Sequence, residues 1–175
     1  FPDPAFRQYV LDTIDENGSG ALEDFEREKV TTIDLNNGYN GSKISDLTGI
    51  EYFTSITELA VSNNALTSID VSKLTKLVTL WINKNQLTEL DLSSNNLTAL
   101  YCDDNQIKSL NLAGNTNLSD LECRNNQLTS LDISMATELK LLYLENNKLE
   151  FLDLSNNSNL DMLFCSDNKL TQLDI

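Results

Sequence analysis

Five positions near the start of the chain are spaced to hold a hard cation. Asp15, Asn17 and Ser19 alternate along the sequence, Ala21 offers a backbone carbonyl, and Glu26 follows at a distance from which its carboxylate can reach back. Calcium needs six or more oxygens converging on a point, and alternate loop positions followed by a distant Glu supply them, with Gly20 making the tight turn. A second set is suited to recognition. Ala60, Trp81, Tyr101, Glu122, Tyr143 and Phe164 fall at one recurring position, and four of the six are aromatic, while Phe151 is the one other aromatic between Ile56 and Ile175. Arg124 lies beside this column, as do the acidic Asp103, Asp120 and Glu145. Large rigid side chains with polar tips give contact area with few rotatable bonds to immobilise.

Catalytic chemistry is poorly supplied. The chain has no histidine, which removes the commonest general base and metal ligand. Cys102, Cys123 and Cys165 occupy one recurring position at which other copies carry Val61, Ile82 and Leu144. A free Cys behaves as a small hydrophobe, so the three are expected to form a buried apolar ladder, with no zinc or redox role. A formal net charge of −15 argues against nucleic acid and anionic lipid as partners, because both would be repelled. No run of about 18 apolar residues suggests membrane insertion. These features point to a chain that is not an enzyme.

The elements that position these residues come from a repeat. Asn64, Asn85, Asn105, Asn126, Asn147 and Asn168 step by 21 residues, with one 20-residue step between Asn85 and Asn105. Ahead of each Asn, pairs such as Leu80-x-Ile82 and Leu121-x-Cys123 alternate apolar with variable residues, the signature of a short strand. Stacked at this period, the strands form a parallel sheet over a continuous core, and the variable residues between the leucines face outward. A second alternation, as in Leu90-Asp91-Leu92 and Leu152-Asp153-Leu154, is expected to close the other side of each coil with extended chain. Its acidic members Asp70, Asp91, Asp132, Asp153 and Asp174 are expected to accept hydrogen bonds from a neighbouring backbone N–H or from hydroxyls such as those of Ser72, Ser93, Ser134 and Ser155, the alternative being a cation bound between coils. The ladder Asn is expected to satisfy backbone groups between coils.

Residues 1–32 differ in composition and read as a helical cap. Asp3-Pro4 is a helix start, and Phe6, Val10 and Ile14 fall on one helical face. With Leu22, Phe25 and Val30 they are expected to cover the apolar end of the stack. Residues 15–26 fit an EF-hand loop, with Ser19 as the departure from the stricter pattern and Leu22 lacking a second loop to pair with, which predicts a weak calcium site; the alternative is a residual loop that turns the chain between two capping helices. An irregular first coil follows over 33–55, in which Ile44, Leu47, Ile50 and Phe53 are buried and the loop 36–43 is expected to be the most mobile element.

The pattern L-x-x-L-x-[LC]-x-x-N-x-L-x-x-L closely resembles the leucine-rich repeat. The second-half sequences Asn85–Ser93 and Asn126–Ser134 resemble those of bacterial secreted and surface-displayed proteins related to the internalins. The resemblance spans residues 33–175 and implies an α/β solenoid, a right-handed superhelix with a parallel sheet on its concave face and six copies of about 21 residues, the last incomplete. It further implies an extracellular or cell-surface setting, whose signal segment this chain does not carry, and a role in adhesion. The expected function is non-enzymatic binding of a protein, or of a glycan, through Trp81, Tyr101, Glu122, Arg124, Tyr143 and Phe164. The alternative is a structural spacer in a longer surface protein. With no later coil against Leu163, Leu170 and Leu173, end-to-end self-association is a further expectation.

Overall fold

The computed structural model describes residues 1–174. Helix α1 (Pro4–Thr13) starts at Asp3, whose Oδ1 accepts from the amides of Ala5 (2.9 Å) and Phe6 (3.0 Å), and Pro4 supplies a φ already suited to a helix. Its apolar face buries Phe6 and Val10, and Ile14 follows at the C-cap. A single turn of helix, α2 (Asp24–Arg27), comes after the loop.

Seven three-residue strands then build one parallel sheet: β1 (Thr32–Asp34), β2 (Glu58–Ala60), β3 (Thr79–Trp81), β5 (Ala99–Tyr101), β7 (Asp120–Glu122), β8 (Leu141–Tyr143) and β10 (Met162–Phe164). The middle residues Leu59, Leu80, Leu100, Leu121 and Leu142 are fully buried, so the two flanking residues of each strand project from the sheet. This is the concave face of a solenoid of about six turns.

The far side of the coils is less regular than the alternation suggests. Strands form there in two pairs, β4 (Glu89–Asp91) with β6 (Ser109–Asn111) and β9 (Phe151–Asp153) with β11 (Gln172–Asp174). Segments 69–71 and 131–133 have no strand pairing. In a curved stack the outer side is spread wider than the inner one, and a backbone ladder needs strands about 4.8 Å apart. The acidic positions behave as expected. Oδ1 of Asp70, Asp91, Asp132 and Asp153 accepts from the amide of the serine two residues on, at 2.9 to 3.0 Å, and Asn111 makes the same bond to Ala113. Bonds from the serine hydroxyl and amide hold all four carboxyls below the usual range.

The ladder Asn residues stitch coil to coil. Asn105 Nδ2 donates to Ile82 O of the preceding coil (3.0 Å) and to Cys102 O of its own (3.1 Å), while Oδ1 accepts from Leu87 N (3.1 Å). Each ladder Asn follows a residue with φ near +55°, a conformation Asn and Asp tolerate best; Lys84 adopts it as well. A second, unanticipated ladder lies at the opposite turn, where Asn95, Asn115 and Asn157 are buried at the position of Leu74 and Ala136. The 20-residue step falls at this turn, just after Asn95. Other coils close that turn by a bond such as Leu77 N to Leu74 O, whereas the shortened turn has Leu97 N donating to Asn115 Oδ1 of the next coil at 2.9 Å.

The cap covers the stack with Phe6, Val10 and Ile14 buried and Leu22 and Val30 packed against the core as expected, and the exception is Phe25. Phe25 is 46% exposed, and Leu22 and Val30 are only partly buried, because α2 is one turn long and turns Glu26 inward. Phe1 takes part instead, packed edge-on against Phe6 at 5.1 Å and over Phe53 at 6.1 Å. The loop 36–43 is anchored and forms a tight hairpin turn between Tyr39 and Ser42. The Tyr39 ring meets Tyr9 at 5.3 Å, its hydroxyl donates to Asp12 (3.1 Å), and Lys43 bonds Asn63 O.

Candidate functional site

Strand register assembles the aromatic column. Ala60 pairs with Trp81, Trp81 with Tyr101, Tyr101 with Glu122, Glu122 with Tyr143 and Tyr143 with Phe164. All six sequence-derived positions therefore share one line across the concave face, with Arg124 two residues beyond Glu122. Trp81 and Tyr101 stack at 5.7 Å with 5° between their planes, and Tyr143 and Phe164 at 4.8 Å with 4°. The rings of each pair face one another.

Glu122 separates the two pairs, and the charges around it were only partly foreseen. The Arg124 guanidinium lies over the Tyr143 ring at 4.6 Å and pairs with Asp103 Oδ2 at 3.1 Å and with Glu122. Asp103 is almost fully buried and also accepts from the backbone amide of Arg124 at 2.6 Å. Arg124 is thus committed within the chain. A polar line runs toward it along the aromatic column, from Ser62 to Asn83 (3.2 Å) and from Asn83 to Asp103 (3.4 Å). Burial pushes the Glu122 carboxyl up, against the lowering effect of Arg124, with Asp103 adding to the rise. For Arg124, burial acts to lower the pKa, but Asp103, Glu122 and Glu145 outweigh it and raise it. Asp103 and Glu145 belong to this cluster. Their signal was present in the sequence: the position occupied by Ser62, Asn83 and Ser166 elsewhere becomes charged in three successive coils, as Asp103, Arg124 and Glu145.

The cap loop closes through its own amides. Asp15 accepts from Ser19 N (3.0 Å) and Gly20 N (2.8 Å), and Asn17 Oδ1 from Ser19 N (2.8 Å). Ser19 Oγ donates to Ala21 O at 2.9 Å. Glu26, 1% exposed, accepts from Glu16 N and Glu23 N, both at 2.9 Å. Among the described residues no group of three or more Cys, Asp or Glu side chains is gathered as a metal centre. The donor set of the loop therefore depends on Asn17, Ser19 and the Ala21 carbonyl. All are oxygens, and a carboxylate oxygen holding one amide keeps a second lone pair.

Cys102 and Cys123 are buried on adjacent coils, and Cys165 is partly buried beyond Leu144. Hydrogen bonding to Cys123 and complete burial push the Cys102 thiol well above its usual range, which makes it an inert packing group.

Comparison with known proteins follows from this geometry. No family profile and no curated protein matches the chain. Among solved structures, it is similar to the functional domain of InlJ from Listeria monocytogenes, which includes a cysteine ladder, at 30% identity over 99% of this chain, with a TM-score of 0.55. It is also similar to an internalin C2 of the same organism, at 25% identity over 98% of this chain and 87% of the other, with a TM-score of 0.62. The chain is an internalin-like leucine-rich repeat protein. A leucine-rich repeat protein of Leptospira interrogans shares the fold at 23% identity over 78% of this chain and 38% of its own length, with a TM-score of 0.67. The internalin-like chain spans 48% of the InlJ structure. Its own cysteine column parallels the ladder named for InlJ, with Leu144 as an interruption. Among the described residues, no helix of this internalin-like chain is long and apolar enough to cross a membrane.

Proposed function

We propose that this chain is a non-enzymatic recognition module that binds a protein partner through the aromatic strip of its concave face, outside the cell or on its surface. The observation that carries this reading is the column itself: four aromatic side chains at one repeat position, in two parallel stacks on a rigid sheet. Stacking also stabilises adjacent strands, and the two roles are compatible, because a ring already held in place loses little freedom on binding. The likeness to internalins supports the same reading. The partner is a protein in this reading, and a glycan is the other candidate. Screening extracellular proteins and glycan arrays, with and without calcium, identifies the partner. Trp81→Ala and Tyr143→Ala are then expected to weaken binding at least about tenfold each, with thermal unfolding little changed. Unchanged affinity in both variants removes the proposal and leaves the structural spacer.

The same proposal extends to the cap, where Asp15, Asn17, Ser19, the Ala21 carbonyl and Glu26 would hold calcium and brace the end of the stack. Its affinity is expected in the weak range, about 10⁻⁴ to 10⁻³ M. Millimolar calcium should then raise the melting temperature, chelator should reverse the rise, and Glu26→Gln should abolish it. An identical melting temperature with calcium and with chelator removes the claim.

A further inference from the structure

An asparagine followed by glycine can react with its own backbone, and the chain carries that pair three times, as Asn17-Gly18, Asn37-Gly38 and Asn40-Gly41. The reaction needs a free glycine amide and an asparagine side chain at liberty to turn toward it. Two of the three lack that freedom. Asn17 Oδ1 accepts from Ser19 N (2.8 Å) while its Nδ2 donates to Glu23 Oε2 (3.1 Å). Asn37 Oδ1 accepts from Asn63 Nδ2 (2.6 Å), and the amide of Gly38 donates to Leu35 O (3.0 Å) in a turn so close that a Cβ there would lie 1.9 Å from Ser42 O.

Asn40-Gly41 is open by contrast. Both residues are exposed, neither the Asn40 side chain nor the Gly41 amide forms a hydrogen bond among the described residues, and a Cβ on Gly41 would meet nothing within 4 Å. A groove of about 380 Å³ between the start of α1 and the hairpin reaches Asn40, so water has access to it. Positive φ at both residues, 48° and 79°, makes the turn type I′, closed by Tyr39 N to Ser42 O and by Ser42 N to Tyr39 O, each at 2.9 Å. Attack requires Asn40 to leave this conformation, and an exposed tip held by two bonds opens at small cost.

We propose that Asn40 is a site of spontaneous covalent modification, converting to isoaspartate through a cyclic imide with Gly41, and that the conversion unfastens the first coil from the cap. Gly41 N, having lost its proton to solvent base, attacks Asn40 Cγ. The bond from Cγ to Nδ2 breaks, and ammonia leaves with a proton taken from solvent. Water then opens the five-membered ring at either carbonyl, giving aspartate or isoaspartate. One water is consumed and one ammonia released, with no change of oxidation state. Isoaspartate carries the backbone through its former side chain, so the turn gains a methylene and loses the two-residue geometry that sets Tyr39 opposite Ser42. Tyr39 is the hairpin's hold on the cap: its ring meets Tyr9 at 5.3 Å and its hydroxyl donates to Asp12 (3.1 Å).

The folded chain is aged in warm, mildly alkaline buffer, and isoaspartate at each pair is followed by peptide mapping with mass spectrometry and by labelling with isoaspartyl methyltransferase. Asn40 is expected to convert at least about tenfold faster than Asn17 or Asn37, because the three differ in local freedom and not in sequence. Conversion at Asn17 or Asn37 as fast as at Asn40 overturns the proposal, as does an unchanged Asn40 under conditions that convert the free peptide Tyr-Asn-Gly-Ser. The structural consequence is read against Asn40→Gly, which suits a type I′ turn and cannot form the imide. Aged wild type should melt about 2–4 °C below fresh protein, while aged Asn40→Gly should melt with its own fresh sample. An equal fall in both, or no fall in converted wild type, removes the claim that this modification loosens the cap.

Discussion

Asn126→Ala is expected to lower the stability of the chain by about 3 kcal/mol. The amide is buried and joins two coils. Oδ1 accepts from Ile107 N at 2.9 Å, and Nδ2 donates to Cys102 O at 3.0 Å and to Arg124 O at 3.1 Å. Alanine leaves the Ile107 amide buried without a partner, at about 1–3 kcal/mol, takes from the Cys102 carbonyl one of its two donors, the other being Asn105 Nδ2, and opens a small void besides. Urea unfolding followed by circular dichroism measures the effect. Each coil touches only its neighbours, so the transition is expected to move to lower urea and to broaden as the two halves uncouple. A loss below about 1 kcal/mol would show that the ladder is incidental to stability.

Asp3→Ala is expected to cost about 2–4 kcal/mol by a different route, loosening the cap from the first coil. One carboxylate accepts four bonds: from Ala5 N and Phe6 N at the start of α1, and from Ser45 N (2.8 Å) and Ser45 Oγ (3.0 Å) in the first coil. Burial acts to raise its pKa, but the bonds from Ser45, Phe6 and Ala5 outweigh it and the carboxyl sits below its usual range. A lowered carboxyl pKa contributes stability in full above the unfolded value and loses it as pH falls through the folded value. The difference between wild type and Asp3→Asn, measured by urea unfolding, should therefore be largest at neutral pH and shrink toward about pH 3. A difference independent of pH would assign the cap to apolar packing by Phe1 and Phe6 alone.

Both residues were visible before the fold was known, but not to the same depth. Asn126 is one of a series at fixed spacing, and a buried turn at that period needs a donor and an acceptor, so its role could be reasoned from the repeat. Asp3 reads as a helix start, and its second task, holding Ser45, joins residues 42 positions apart, a contact no local pattern encodes. The second Asn ladder escaped the reading because Leu74 and Ala136 share its position, and an interrupted column gives a weak periodic signal. Phe25 was expected inward because it is apolar and falls in the cap. A one-turn helix with Glu26 at its buried face leaves no room for that orientation.

The candidate site divides in the same way. The aromatic column is a property of the repeat and could be located residue by residue. The pairing of its rings and the capture of Arg124 by Asp103 and Glu122 depend on side-chain rotamers across adjacent coils, which spacing does not fix.

The sequence by itself determined the period, the parallel stack, the inward leucine of each repeat strand and the place of the aromatic column, because one local pattern copied at constant spacing admits one architecture. The tertiary structure decided what lies between copies: which carboxylates share a cation, which are left without one, how a missing residue is absorbed by the next coil, and which cap residues reach the core. Those outcomes depend on distances across coils and on competition for buried donors, and such competition exists only once the chain has closed on itself.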